Sequence, residues 1–193
     1  MFFQNWKQEI RSIPNQLSLF RLCLIPVYLP LYLIRTTPTA QFLAAILFII
    51  SCFTDFLDGW IARRYHMVTN LGKFLDPLAD KVTQLAVTAC LSIRYPDLLP
   101  VLLMLAFKEF FQAMLSWVFF KQDKVLSGAL LAGKISTAVI FASLGMLICL
   151  PKLADSILKA AVPGNLLFLT VSLLEYAFVY LGNTDKLMDL KKE

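Results

Sequence analysis

The stretch FLAAILFIISCFTDFLDGWIARR, residues 42–64, decides how the chain is read. Its first half is apolar enough for the hydrocarbon core of a bilayer, yet a helix continuing from it carries Asp55 and Asp58 before reaching Arg63 and Arg64. A charged side chain near the bilayer centre costs about 2.5–3.5 kcal/mol even on the more lenient insertion scale. Two acids three residues apart at the end of such a helix therefore need a partner or a purpose.

Outward from this segment, the composition is that of a membrane protein. Hydrophobic residues make up 59% of the 193 positions and charged residues only 16%, with a mean hydropathy of +0.70, well away from a soluble globule. The few charges are expected at the membrane surface or in a polar site between helices. A net charge of +5 suits contact with anionic lipid. Nucleic acid is not an expected partner, because no basic arm or aromatic-basic strip stands apart from the helices. Cys23, Cys52, Cys90 and Cys149 are scattered without a Cys-x-x-Cys pair and read as small apolar side chains. His66 reads as a solvated loop residue.

A spanning helix needs about 20 mostly apolar residues. Six segments meet that demand, near residues 15–35, 39–63, 71–95, 97–121, 128–150 and 166–183. The expected fold is thus an all-α integral membrane protein, one domain over 1–193, with six transmembrane helices within 15–183. Residues 1–13, mixing Trp6 with Lys7, Glu9 and Arg11, are expected to form a short interfacial helix rather than a signal peptide. Residues 184–193 are expected as a cytoplasmic tail. Pro26 and Pro30 should bend the first span, and Thr69 or Asn70 should cap the third. Pro163 and Gly164 mark 151–165 as an interfacial segment ahead of the last span.

Basic residues set the orientation. With the N-terminus inside, Lys7, Arg11, Arg63, Arg64, Lys73, Lys121, Lys124, Lys186, Lys191 and Lys192 are cytoplasmic, against only Arg35, Arg94, Lys152 and Lys159 outside. Asp55 and Asp58 then lie near the inner end of the second span, and Asp76 and Asp80 near the inner start of the third. Arg21, Lys108 with Glu109, and Lys134 bring charge to the same side from the first, fourth and fifth spans. Glu175 lies deep in the sixth, with no assigned partner.

Residues three or four apart share a helix face, so Asp55 pairs with Asp58, and Gly72 heads a row with Asp76 and Asp80. Antiparallel neighbours joined by a short loop can bring all four carboxylates to one level. Four such groups cannot all stay ionised without cations. All-oxygen ligands without Cys or His favour Mg²⁺ or Mn²⁺, with Ca²⁺ a further option, over zinc. Metal beside Arg63 and Arg64 suggests a phosphate ligand. Gly59 and Gly72 would let a ligand approach the backbone, and Pro77 leaves the carbonyl of Lys73 without its helical donor.

DFLDGWIAR followed by GKFLDPLAD reads D-x-x-D-G-x-x-A-R, eight residues, then G-x-x-x-D-x-x-x-D. This resembles the signature of the CDP-alcohol phosphatidyltransferase family, with Asp55, Asp58, Gly59, Ala62, Arg63, Gly72, Asp76 and Asp80 in every fixed position. The resemblance covers about residues 14–150. It implies a usually dimeric six-helix enzyme of the bacterial cytoplasmic (inner) membrane, its site facing the cytoplasm, moving a phosphatidyl group from CDP-diacylglycerol to an alcohol and releasing CMP. It also implies two metal ions, Mg²⁺ or Mn²⁺, held by Asp55, Asp58, Asp76 and Asp80, with Asp80 as general base. Gly59, Arg63 and Gly72 would face the CDP portion.

Residues 12–21 and 71–82 look most like the bacterial members that make phosphatidylglycerophosphate, with glycerol 3-phosphate as acceptor. Arg21, Lys108 and Lys134 are the candidates for its phosphate. Those members usually carry an Arg-Glu pair in the fourth span and an Arg seven residues after the Glu; here Lys108, Glu109 and Ser116 stand there. Cardiolipin synthases of the same fold, with phosphatidylglycerol as acceptor, are the alternative. From other classes, an ion transporter with buried carboxylates accounts for the charges but not for their gathering beside Gly and Arg. Plainer readings make Arg64 a positive-inside anchor, Lys73 and Lys81 snorkelling side chains, Lys108–Glu109 a structural pair, and Phe110, Phe111, Trp117, Phe119 and Phe120 lipid-facing.

Overall fold

The computed structural model describes residues 12–34, 37–65, 69–120, 124–126, 130–181 and 187–189. The expected interfacial helix over 1–13 lies almost wholly outside them, as does His66. Among the described residues, six long helices follow in order: α1 (Ile13–Ile34), α2 (Pro38–Arg64), α3 (Asn70–Arg94), α4 (Leu99–Phe120), α5 (Leu131–Cys149) and α6 (Ala154–Leu181). Short 3₁₀ turns at Pro96–Leu98 and Pro151–Leu153 precede α4 and α6. Among the described residues four segments are long and apolar enough to cross a membrane: Thr39–Ile61, Pro96–Phe119, Leu131–Cys149 and Pro151–Tyr180. The helical membrane character of the expected fold is thereby shown. The large exposed side chains include Phe42, Phe110 and Phe178, each at least 67% exposed, as a lipid-facing exterior requires.

The Cα packing gathers into two compact units, residues 1–90 with 148–151, and residues 91–147 with 152–193. In the first, α1 packs along α2. Ala40, Ala44 and Ala45 are buried on α2, and such small residues let helix backbones approach closely in lipid. Pro14 sits in the first turn of α1, where its missing N–H would have had no helical partner. Pro26 and Pro30 stay inside the continuous α1. Pro38 opens α2 in the same way as Pro14 opens α1, and Tyr65 closes it by donating its N–H to the Ile61 carbonyl at 3.0 Å.

In the second unit α4 packs on α6. Leu115, Leu130, Tyr176, Val179 and Tyr180 form a buried cluster with Phe111 and Phe119 against it. Phe110 and Trp117 are exposed as expected, whereas Phe111 and Phe119 turn inward; the Phe119 and Tyr180 rings lie 5.0 Å apart. The side chain of Phe120 lies outside the described residues.

One expectation needs correcting. Residues 154–165 are not a separate interfacial segment, because α6 runs unbroken through Pro163. Pro163 removes one N–H, but the flanking turns keep their own bonds, as proline-bearing helices do in lipid. Two residues later Asn165, fully buried, donates Nδ2–H to Ser143 Oγ on α5 at 2.8 Å, holding this part of the helix against its neighbour. Within the stretch expected as a cytoplasmic tail, Leu187–Asp189 (β2) pairs antiparallel with Lys124–Leu126 (β1), Val125 opposite Met188, a short ribbon beside the helices.

Candidate active site

Positions 15, 18 and 21 of α1 each climb about 4.5 Å and lag about 60° behind the last, giving a slanting polar stripe on an apolar helix. Arg21, at the top of that stripe, is 2% exposed. Its Nη1 pairs with both Asp55 and Asp80, and its Nη2 lies 3.3 Å from Asp58 Oδ2. One turn below, Ser18 Oγ lies 3.1 Å from Asp58 Oδ2, 2.7 Å from Asp76 Oδ1 and 3.2 Å from the Pro14 carbonyl. A hydroxyl has one proton, so it serves one of these acceptors at a time. All four motif acids are therefore reached from α1: three by Arg21, two by Ser18, with Asp58 shared.

The burial is uneven in a way that separates roles. Asp58 is 3% exposed and needs its partners, since an ionised carboxylate is stable in a low-dielectric setting only when paired and hydrogen-bonded. The Asp55 and Asp80 side chains are 43% and 38% exposed and can take a ligand from outside the packing.

At the foot of the stripe, Asn15 Nδ2–H donates to Thr69 Oγ1 at 2.9 Å, and Thr69 Oγ1 lies 3.3 Å from Asn15 Oδ1. Thr69 also accepts the Gly72 N–H at 2.9 Å, making it the N-cap of α3, one of the two residues expected for that task.

Four carboxylates against one guanidinium leave three negative charges uncompensated among these groups, and the donors are all oxygen. Their charge and chemistry fit a hard divalent cation. As the side chains stand, gathered on Arg21, no group of three or more His, Cys, Asp or Glu among the described residues is arranged around a single metal position.

Of the other expected residues, Gly59 is half-buried on α2 directly after Asp58, and Arg63 lies one turn further along the same helix, its side chain outside the described residues. Gly72 does not offer open space, because a Cβ there would stand 2.6 Å from Asn15 Oδ1 and 3.0 Å from Thr69 Oγ1. Arg21, expected against an acceptor phosphate, has both terminal nitrogens committed to the carboxylates.

In the second unit Lys108 and Glu109 form a buried pair at 2.9 Å. Lys134 is exposed near the start of α5, and Ser116 Oγ lies 3.0 Å from the Tyr180 hydroxyl. Glu175, without an assigned partner in the sequence, accepts the Ala132 N–H at 3.0 Å and so puts a carboxylate on the N-terminal turn of α5. Ser18 and the linking role of Asn15 escaped the sequence reading. The Asn-x-x-Ser-x-x-Arg spacing in an apolar helix is the signal that marks them.

The family model for CDP-alcohol phosphatidyltransferase matches residues 11–177. The chain belongs to the CDP-alcohol phosphatidyltransferase family. The match contains α1 to α5 and most of α6, with the four acids and the stripe that holds them. Among its relatives, a "CDP-diacylglycerol--glycerol-3-phosphate 3-phosphatidyltransferase" of Rickettsia typhi is 42% identical over 102 residues, 52% of this chain and 56% of that protein. Proteins of the same name from Bacillus subtilis (38% over 140 residues, 65% of this chain and 70% of that one) and Escherichia coli K12 (30% over 145 residues, 74% and 79%) extend the similarity. The chain spans little more than half the length of the Rickettsia relatives it matches.

Proposed function

We propose that the protein transfers a phosphatidyl group from CDP-diacylglycerol to glycerol 3-phosphate, giving phosphatidylglycerophosphate and CMP. The observation that carries this reading is the meeting of Asp55, Asp58 and Asp80 on Arg21, with Asp76 joined through Ser18, at the motif of a family defined by CDP-alcohols. The choice of acceptor is supported by the names of the relatives.

In the reaction the acceptor hydroxyl oxygen bonds to the phosphatidyl phosphorus as the bond from that phosphorus to the CMP oxygen breaks, and CMP leaves with the electron pair. Asp80, on the exposed side of the cluster, is assigned the hydroxyl proton. Gly59 and Arg63 are assigned the CDP portion by the motif. Arg21 holds Asp55, Asp58 and Asp80 together instead of gripping the acceptor, which leaves Lys108 and Lys134 as the acceptor-phosphate candidates on resemblance alone. Two Mg²⁺ or Mn²⁺ ions, held by Asp55, Asp58, Asp76 and Asp80, would neutralise the diphosphate and the charge building on phosphorus. The reading also includes six membrane spans, a homodimer, and a site at the cytoplasmic face of the bacterial inner membrane.

The test is a panel of acceptors offered with CDP-diacylglycerol and Mg²⁺ to the purified protein, the lipid products identified by mass. Glycerol 3-phosphate should give phosphatidylglycerophosphate and an equal amount of CMP. Cardiolipin from phosphatidylglycerol, with glycerol 3-phosphate inert, would reassign the acceptor. No CMP with any acceptor would refute the reading.

A further inference from the structure

Gly72 stands in the first turn of α3, where glycine is among the poorest helix formers. What a side chain would meet here is visible in the structure. An alanine Cβ at this position would come within 2.6 Å of Asn15 Oδ1 and 3.0 Å of Thr69 Oγ1. The oxygen in the way cannot easily swing aside, because Asn15 is 1% exposed and bonded to Thr69 through its amide. Thr69 in turn holds the Gly72 N–H. Asn15, Thr69 and Gly72 thus interlock α1 with the start of α3 through three hydrogen bonds and one close contact.

Gly72, Asp76 and Asp80 follow at four-residue intervals on one face, so Asp76 stands about 6 Å and Asp80 about 12 Å along the helix from this contact. A rotation of about 5° at the first turn displaces Asp80 by about 1 Å, and a misplacement of that size costs on the order of 10²-fold in rate. Asp76 and Asp80 are in turn fastened to the same stripe of α1, through Ser18 and Arg21.

We infer that Asn15 is a positioning residue for the α3 acids, and that residue 72 is glycine because Asn15 occupies the space beside it, not because a nucleotide does. The inference rests on the phosphatidyl-transfer reading for its effect on rate, but the interlock itself can be tested without it.

The experiment compares wild type with Gly72→Ala, Asn15→Ala, the Asn15→Ala/Gly72→Ala double variant, Thr69→Val and Thr69→Ser in detergent with Mg²⁺. CMP release gives kcat and the KM for CDP-diacylglycerol, and amide hydrogen exchange is followed over the first two turns of α3. Gly72→Ala should lose roughly 10- to 100-fold in kcat with little change in KM. The double variant, in which the new methyl finds the space left by the amide, should turn over faster than Gly72→Ala alone. Thr69→Val should lose rate without adding bulk, and Thr69→Ser should restore it. Exchange at the α3 start should speed up in Asn15→Ala and Thr69→Val.

A raised KM in Gly72→Ala that Asn15→Ala does not relieve would assign the glycine to the nucleotide and overturn the inference, as would wild-type kinetics in Gly72→Ala. Should Gly72→Ala not fold, the Thr69 pair decides the matter by the same rates. Should the wild type release no CMP, the phosphatidyl-transfer reading fails on its own, and unchanged exchange in Asn15→Ala and Thr69→Val would separately remove the interlock.

Discussion

Replacing Arg21 with Gln removes a cation that joins α1 to the acids of both α2 and α3. Its three pairings are not equal. Asp55 and Asp80 are 43% and 38% exposed, so water and salt screen them, and each contributes no more than about 1 kcal/mol. Asp58 is 3% exposed, and stranding a buried carboxylate by removing its partner costs about 3–5 kcal/mol. Ser18 remains to Asp58 as a donor, which puts the loss near the lower end, about 3–4 kcal/mol in all. For a chain of this size each kcal/mol lowers the melting temperature by about 2–4 °C, so Arg21→Gln should melt about 6–16 °C below wild type. Thermal unfolding in detergent without divalent metal, followed by tryptophan fluorescence, reads the shift directly. Adding Asp58→Asn to Arg21→Gln should cost little further, because the stranded charge is then gone, and the cycle should show coupling of about 2 kcal/mol or more. A melting temperature within about 2 °C of wild type, or additive losses in the cycle, would refute the role given to Arg21.

Asp80→Asn should lose about 10²- to 10⁴-fold in turnover while still binding CDP-diacylglycerol, measured by single-turnover kinetics and equilibrium binding; undiminished turnover would remove Asp80 as the base. Lys134→Ala should raise the KM for glycerol 3-phosphate with kcat nearly unchanged, and an unaltered KM would free Lys134 from the acceptor phosphate. Glu175→Ala deprives the start of α5 of an N–H acceptor and a favourable charge, and should lower stability by about 1 kcal/mol in thermal unfolding; no loss would show that water replaces the bond without cost.

The site was more legible in the sequence than the fold that surrounds it. Asp55, Asp58, Asp76 and Asp80 announced themselves because charge inside apolar segments is costly and because their three- and four-residue spacings give each pair one face. Thr69 was legible as a cap for an equally local reason. What no spacing reveals is which helix lies against which. Ser18 and Asn15 are unremarkable in an apolar segment until α3 is placed beside them, and Gly72 reads as room for a ligand until Asn15 is seen in that room. Arg21 is legible as a charge, but its pairing with Asp55, Asp58 and Asp80 is not, since a lone cation in a helix can face either a substrate or its neighbours' acids.

The break assigned at Pro163 failed because proline rules come mainly from helices exposed to water, where freed backbone groups are readily solvated. In lipid the helix is the cheaper continuation, and Asn165 with Ser143 anchors it. The ribbon of Lys124–Leu126 with Leu187–Asp189 joins segments far apart in the chain through three residue pairs, too few for any periodicity to show.

The central claim is that the acids of α2 and of α3, gathered by Arg21 and Ser18, serve a single chemical step. Mg²⁺-dependent CMP release from CDP-diacylglycerol with glycerol 3-phosphate, measured for wild type, Asp55→Asn and Asp76→Asn at matched folded concentrations, tests it most directly. Both variants should fall at least about 10²-fold, to near background. A folded variant of either kind that keeps the wild-type rate would show that α2 and α3 do not share one site.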